Sequence, residues 1–140
     1  EALAKDIWIL FDLFCKITNQ CTGRVRLSRV ENNACQLFHA DTLEMRMLCT
    51  YSGLGTEWVE NNNARYNELG SKGRSKEETN NSIVIDADNI HVMQPWHVAI
   101  FSGRKKKKTL PLIHRSSPVK GKEEYRVRLC IDYPDACGCS

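Results

Sequence analysis

Leu43-Glu44-Met45-Arg46-Met47-Leu48-Cys49-Thr50-Tyr51 is the stretch whose reading decides the fold. Its odd positions are apolar or aromatic, whereas Glu44, Arg46 and Thr50 occupy even ones. Alternate side chains of an extended chain point to opposite faces, so this is a strand with its odd face toward a core. Similar short runs recur at 24–30, 35–39, 56–59, 83–86, 90–93, 97–102, 110–114 and 124–132, separated by Asn, Gly, Ser and Lys clusters. That number of strands predicts an all-β core in two sheets, of the jelly-roll or barrel kind.

Upstream of all the strands lies a different pattern. Leu3, Ile7, Leu10, Phe11, Phe14 and Ile17 recur at three- and four-residue steps, which predicts a helix over 2–18 that ends before Thr22-Gly23. A helix followed only by strands is expected to pack on the outside of the sandwich. The segment 61–81 is rich in Asn, Glu, Lys, Gly and Ser without an apolar period. It reads as a long polar insertion or as a lid over a site.

The chain has 140 residues, 41% hydrophobic and 26% charged, which suits a single domain over 1–140 with a β-sandwich core at 24–132. It begins at Glu1 rather than Met, which reads as a clipped amino terminus. The formal charge of +3 comes largely from Arg104 to Lys108, a solvated loop between two strands. It is no basis for a nucleic-acid function. Nor does any apolar run approach the ~20 residues of a membrane span.

Seven cysteines, several within apolar stretches, favour a reducing, intracellular and cytoplasmic setting. Cys137-Gly138-Cys139 has no second pair at zinc-site spacing. No phosphate loop, nucleophile elbow or HExxH helix is present.

Immediately upstream of the deciding strand stands His39-Ala40-Asp41. Extended backbone would carry both side chains to the same odd side, into the sandwich. A carboxylate facing a core is costly unless it is paired or metal-bound. Far downstream, Leu110-Pro111-Leu112-Ile113-His114 ends an apolar run in a second histidine. Two imidazoles and a carboxylate are the ligands of a facial iron(II) site with open positions. The alternative makes Asp41 a turn cap and His39 a hydrogen-bonded core residue. In the last strand Arg126 and Arg128 alternate with Tyr125, Val127 and Leu129. If the helix covers the apolar face, the arginines turn inward and need an anion, which a planar guanidinium grips in bidentate fashion.

His39-Ala40-Asp41, Cys49-Thr50-Tyr51, Gly53-Leu54-Gly55-Thr56, Val98-Ala99-Ile100-Phe101, His114 with Pro118-Val119 and Gly121, and Tyr125-Arg126 together resemble the core of the iron(II)/2-oxoglutarate-dependent dioxygenases. The likeness is to the prolyl-hydroxylase-like branch. Thr50 to Trp58 and His114 to Pro118 are similar to a family of uncharacterised proteins described only as a domain of unknown function.

The superfamily resemblance implies a double-stranded β-helix with iron held by His39, Asp41 and His114. It also implies 2-oxoglutarate clamped by Arg126, with Arg128 the second choice, and oxygen as co-reactant. Thr50, Tyr51 and Arg115 are pocket candidates. Trp58, Trp96, His91 and His97 read as packing or surface residues. The expected activity is hydroxylation of a substrate the sequence does not identify. The alternative is a cupin-like metal- or ligand-binding module without oxidative activity.

Overall fold

The computed structural model describes residues 1–31, 35–118 and 125–133. Val119, Gly121 and Cys137-Gly138-Cys139 lie outside them. Helix α1 (Ala2–Thr18) is followed by strand β1 (Arg24–Val30), β2 (Met45–Ser52), β3 (Thr56–Val59), helix α2 (Lys76–Ile83), β4 (His91–Val92), β5 (Val98–Ser102), β6 (Ile113–Ser116) and β7 (Arg126–Asp132). The strands form two antiparallel sheets, ordered β1-β7-β2-β5 and β4-β3-β6. Among the described residues the sheets do not close into a barrel.

The odd face of β2 is apolar, and what buries it is α1. Met47, Cys49 and Tyr51 join Leu129 and Ile131 of β7 under Leu10 and Phe14. Met47, Phe14, Leu129 and Ile131 are almost fully buried, and side chains of this size each contribute about 1.5–3 kcal/mol by leaving water. The even face of the same strands therefore turns toward the second sheet. It carries Arg46, Leu48 and Thr50 on β2, paired across the ladder with Asp132, Cys130 and Arg128 on β7. The polar face of the deciding strand is thus the inner one.

Helix α1 spans the expected 2–18 and ends before Thr22-Gly23. Asn19 adopts a left-handed conformation (φ 54°) and closes the last turn through a backbone bond to the Cys15 carbonyl. Of the expected stripe, Leu10 and Phe14 are buried and Ile7 and Phe11 pack at the margin, while Leu3 and Ile17 remain exposed.

Three expectations are corrected. The run 35–39 forms no strand but a single antiparallel bridge, His39 to His114. The run 83–86 forms no strand either, because Ile83 ends α2. The stretch 61–81 is folded rather than structureless. It holds two short 3-10 turns and most of α2, whose N-terminus carries a reciprocal cap between Ser75 and Glu78, a device worth about 1 kcal/mol.

This segment packs Ile83, Val84 and Ala64 against Val59 and Ile113. Val59 and Ile113 are cross-strand partners on the odd face of the second sheet. Trp58 and His114, also partners, occupy the opposite face. The insertion is a cover for the back of the second sheet, away from His39 and His114.

Candidate metal centre

His39, Asp41 and His114 come from separate positions in the fold. His39 lies on the bridge beside β6, His114 is the second residue of β6, and Asp41 follows the bridge. The bridge is closed by reciprocal backbone bonds of 3.0 Å between His39 and His114. One potential ligand atom from each of the three side chains lies within 4.8 Å of the other two. His39 Nε2 stands 3.5 Å from Asp41 Oδ1, and His114 Nε2 stands 3.6 Å from Oδ2.

Both imidazoles are held in the orientation a metal requires. His39 Nδ1 lies 2.8 Å from the Leu37 carbonyl and His114 Nδ1 lies 3.2 Å from the Leu112 carbonyl. A carbonyl can only accept, so each Nδ1 carries the proton and each Nε2 presents its lone pair. Such bonds from the far ring nitrogen to a carbonyl fix the rings of metal-binding histidines.

Burial favours the uncharged form of His114 and lowers it to about 4, even with the Asp41 carboxylate beside it. Burial acts on Asp41 in the opposite sense, but the His39 contact and the charges of His114 and Arg46 outweigh it. The carboxyl is held well below the usual carboxylate range. The neutral imidazole of His114, the Nε2 atom of His39 and one ionised carboxylate meet at one point, and that donor set fits a divalent metal.

Asp41 arrives by a different route from the one strand parity suggests. Residues 42–44 bend rather than extend, so the odd-side rule does not carry upstream. Its carboxylate faces Arg46, an even residue. Arg46 Nη1 donates to Asp41 at 2.6 Å and Nη2 donates to Asp132 at 2.7 Å. Asp132, fully buried, also accepts from Arg24 Nε at 3.0 Å and Arg26 Nη2 at 2.8 Å.

This chain of charges locks Asp41 to both the first and last strands of the first sheet. Sequence reading missed Arg46 and Asp132, although an arginine at an even position between apolar residues was their signal. Gly103 keeps the backbone near Asp41 tight, since a Cβ there would collide with the carbonyls of Leu43 and Asp41.

The remaining expected residues are distributed unevenly. Arg128 lines a narrow cleft with His39, His114, Arg46, Thr56 and Ser116, and the cleft has room for about one water molecule. Arg126 does not line that cleft but lies on the same face of β7, two residues before Arg128. It is buried, and its Nε and Nη2 atoms have no hydrogen-bond partner among the described residues. Burial, and then the Arg128 guanidinium, lowers its proton affinity. The turn at Gly53 (φ 82°) permits the close approach of this segment, because a Cβ would sit 2.5 Å from the Tyr125 carbonyl.

Thr50 is buried opposite Arg128. Tyr51 lies on the other face, where its hydroxyl donates to Asp6 of α1 at 2.6 Å. Arg115 reaches the cleft wall, but its Nε donates to Glu57 at 2.6 Å and its guanidinium lies over the Phe38 ring. Trp58 stacks on His91 with centroids 4.5 Å apart, while Trp96 is exposed and meets Tyr51 edge-on.

Fold and site together define a two-sheet β protein with an amino-terminal helix and a His-Asp-His cluster suited to a divalent metal. The chain belongs to the family described as Protein of unknown function (DUF1826), whose model matches residues 1–132. No curated protein and no solved structure matches the chain. No helix among the described residues is long and apolar enough to cross a membrane.

Proposed function

We propose that this protein is a non-haem iron(II) oxygenase that uses 2-oxoglutarate and oxygen to hydroxylate a substrate. The observation that carries the reading is the convergence of His39, Asp41 and His114, with both Nδ1 atoms tied to carbonyls and both Nε2 atoms turned to the carboxylate. Iron(II) bound there would couple decarboxylation of 2-oxoglutarate, giving succinate and carbon dioxide, to insertion of one oxygen atom into a C–H bond. The residues themselves have simpler tasks. His39 and His114 supply neutral nitrogens, Asp41 supplies the hard oxygen, and Arg46 orients that carboxylate. Arg126, whose Nε and Nη2 have no hydrogen-bond partner among the described residues, provides a guanidinium for the far carboxylate of the keto acid, with Arg128 as the alternative.

The strand path supports the double-stranded β-helix that such enzymes use. Taking the extended residue His39 as a segment between β1 and β2, the first segment pairs with the last, His39 with β6, β2 with β5, and β3 with β4. That is a long hairpin folded on itself. The pairs β7 with β2 and β6 with β3 then fold it into two sheets, an order that supports the jelly-roll reading. The buried thiols of Cys49, pushed up to about 11 by burial, and Cys130, raised for the same reason, suit the reducing intracellular setting proposed here.

One observation favours a second reading. With room for about one water molecule, the cleft holds a metal more readily than a metal with a five-carbon diacid. A cupin-like metal-binding module would keep the cluster without oxidation. Incubating the iron-loaded protein with 2-oxoglutarate in air separates the two. The oxygenase forms succinate with matching oxygen uptake, and His39→Ala abolishes both. Full metal occupancy without succinate is the module.

A further inference from the structure

The cross-strand register of the second sheet lines up four rings on one face. His39 is the partner of His114, His114 of Trp58, and Trp58 of His91. Directly opposed residues in antiparallel strands share a face, so the row runs from the metal centre outward to the edge strand β4. At its outer end His91 stacks on Trp58, at 4.5 Å between centroids and 28° between planes.

Beside His91 opens a pocket of about 330 Å3, lined by Glu60, Asn62, Asn63, Asn89 and His91, at the lower end of the range of small-ligand sites. Its floor is rigid. The buried Asn63 donates through Nδ2 to the carbonyls of Asp86 and Asn89 and accepts from the Asp86 amide. Glu60, by contrast, keeps its carboxylate largely exposed, with His91 Nε2 3.8 Å away. Asn62 is exposed at the rim.

We infer that this pocket, lined by Glu60, Asn62 and the Trp58-backed ring of His91, binds a guanidinium group, the arginine side chain of a peptide substrate. A carboxylate receives the planar fork bidentately, the ring pair offers a face for stacking, and the carboxamides accept the remaining N–H groups. A neutral planar amide would leave the carboxylate unmatched, and an ammonium would forgo the stacking.

The location gives the pocket a role that rests on the oxygenase reading: it anchors the substrate. Two inter-strand spacings separate His91 from His114, roughly 10 Å, which an extended peptide covers in about three residues. The hydroxylated residue is therefore expected about three positions from the arginine.

The binding itself is testable without metal. The full chain, metal-free, is titrated with Nα-acetylarginine amide, Nα-acetylcitrulline amide and Nα-acetyllysine amide while the Trp58 indole N–H and the Asn62 and Asn89 side-chain amides are followed by NMR. Arginine amide is expected to shift these signals saturably, at least ten-fold more tightly than the other two. Glu60→Gln and His91→Ala are each expected to weaken it at least five-fold with the remaining spectrum unchanged. Equal binding of citrulline or lysine amide overturns the assignment, as does the absence of shifts at Trp58 in the wild type. A failure of iron or 2-oxoglutarate binding would leave this result untouched and would remove only the anchoring role.

Discussion

The Nη1 atom of Arg46 lies 2.6 Å from Oδ2 of Asp41, and the same guanidinium holds Asp132 with its other arm. A group on the sheet thereby orients a carboxylate on an irregular segment that has no ladder of its own. Arg46→Met removes that link and takes the guanidinium from the buried Asp41 carboxylate, while Asp132 keeps Arg24 and Arg26. Breaking a buried pair from one side costs about 3–5 kcal/mol, and urea unfolding is expected to show a loss of that size. Arg46→Lys should recover under half of it, because one ammonium does not reproduce a two-armed fork. Full recovery by lysine would contradict the bridging role.

His39→Ala and His114→Ala are each expected to reduce iron(II) or cobalt(II) affinity at least a hundred-fold, read by equilibrium dialysis under anaerobic conditions. Thermal stabilisation of the wild type by metal should vanish in both, since a ligand stabilises only the state it binds. Stoichiometric binding retained in both variants would sink the metal assignment.

The acid response of the metal-free protein follows from His114 and Asp41. His114 falls from an ordinary 6.5 to about 4 in the fold. Below pH 6.5 the unfolded chain takes up a proton that the folded protein refuses until about pH 4, so stability declines across that window. The decline is expected to reach about 3 kcal/mol. Asp41 acts in the next window, its contribution complete above its ordinary 3.8 and lost as the pH falls further. Urea unfolding between pH 8 and pH 4 measures the first decline. His114→Gln should flatten it, and a wild-type profile already flat would contradict the burial of a neutral imidazole.

Arg126 gives a prediction with opposite signs in two conditions. Without an anion its buried guanidinium is uncompensated at Nε and Nη2 among the described residues, so Arg126→Met is expected to be neutral or stabilising by about 1–3 kcal/mol. With iron(II) and 2-oxoglutarate present, the wild type should gain thermal stability that the variant does not. If both gain equally, the clamp belongs to Arg128 or to neither arginine.

Much of this architecture is legible in the chain because burial and period coincide. β1 and β3 occupy the expected 24–30 and 56–59, and α1 ends at Thr18 as its period predicts. The site residues His39, Asp41 and His114 are found together. The orientation of Asp41 was less legible, since strand parity is lost wherever the chain bends, as it does over 42–44.

Helix α2 was hidden for another reason. Its sequence Lys76-Glu77-Glu78-Thr79-Asn80-Asn81-Ser82-Ile83 buries only Thr79 and Ile83, too few to register as a period. The Ser75-x-x-Glu78 spacing was its one local signal. Arg46 and Asp132 were invisible as a pair because only the register of β2 on β7 brings them together.

The central claim is tested most directly by anaerobic titration of the full chain, first with iron(II) and then with 2-oxoglutarate, followed by visible absorption. The account predicts a charge-transfer band of the chelated keto acid at one equivalent, absent in His39→Ala. Iron uptake with no band would contradict the oxygenase assignment and leave a metal-binding module, and no iron uptake at all would make His39 and His114 structural residues.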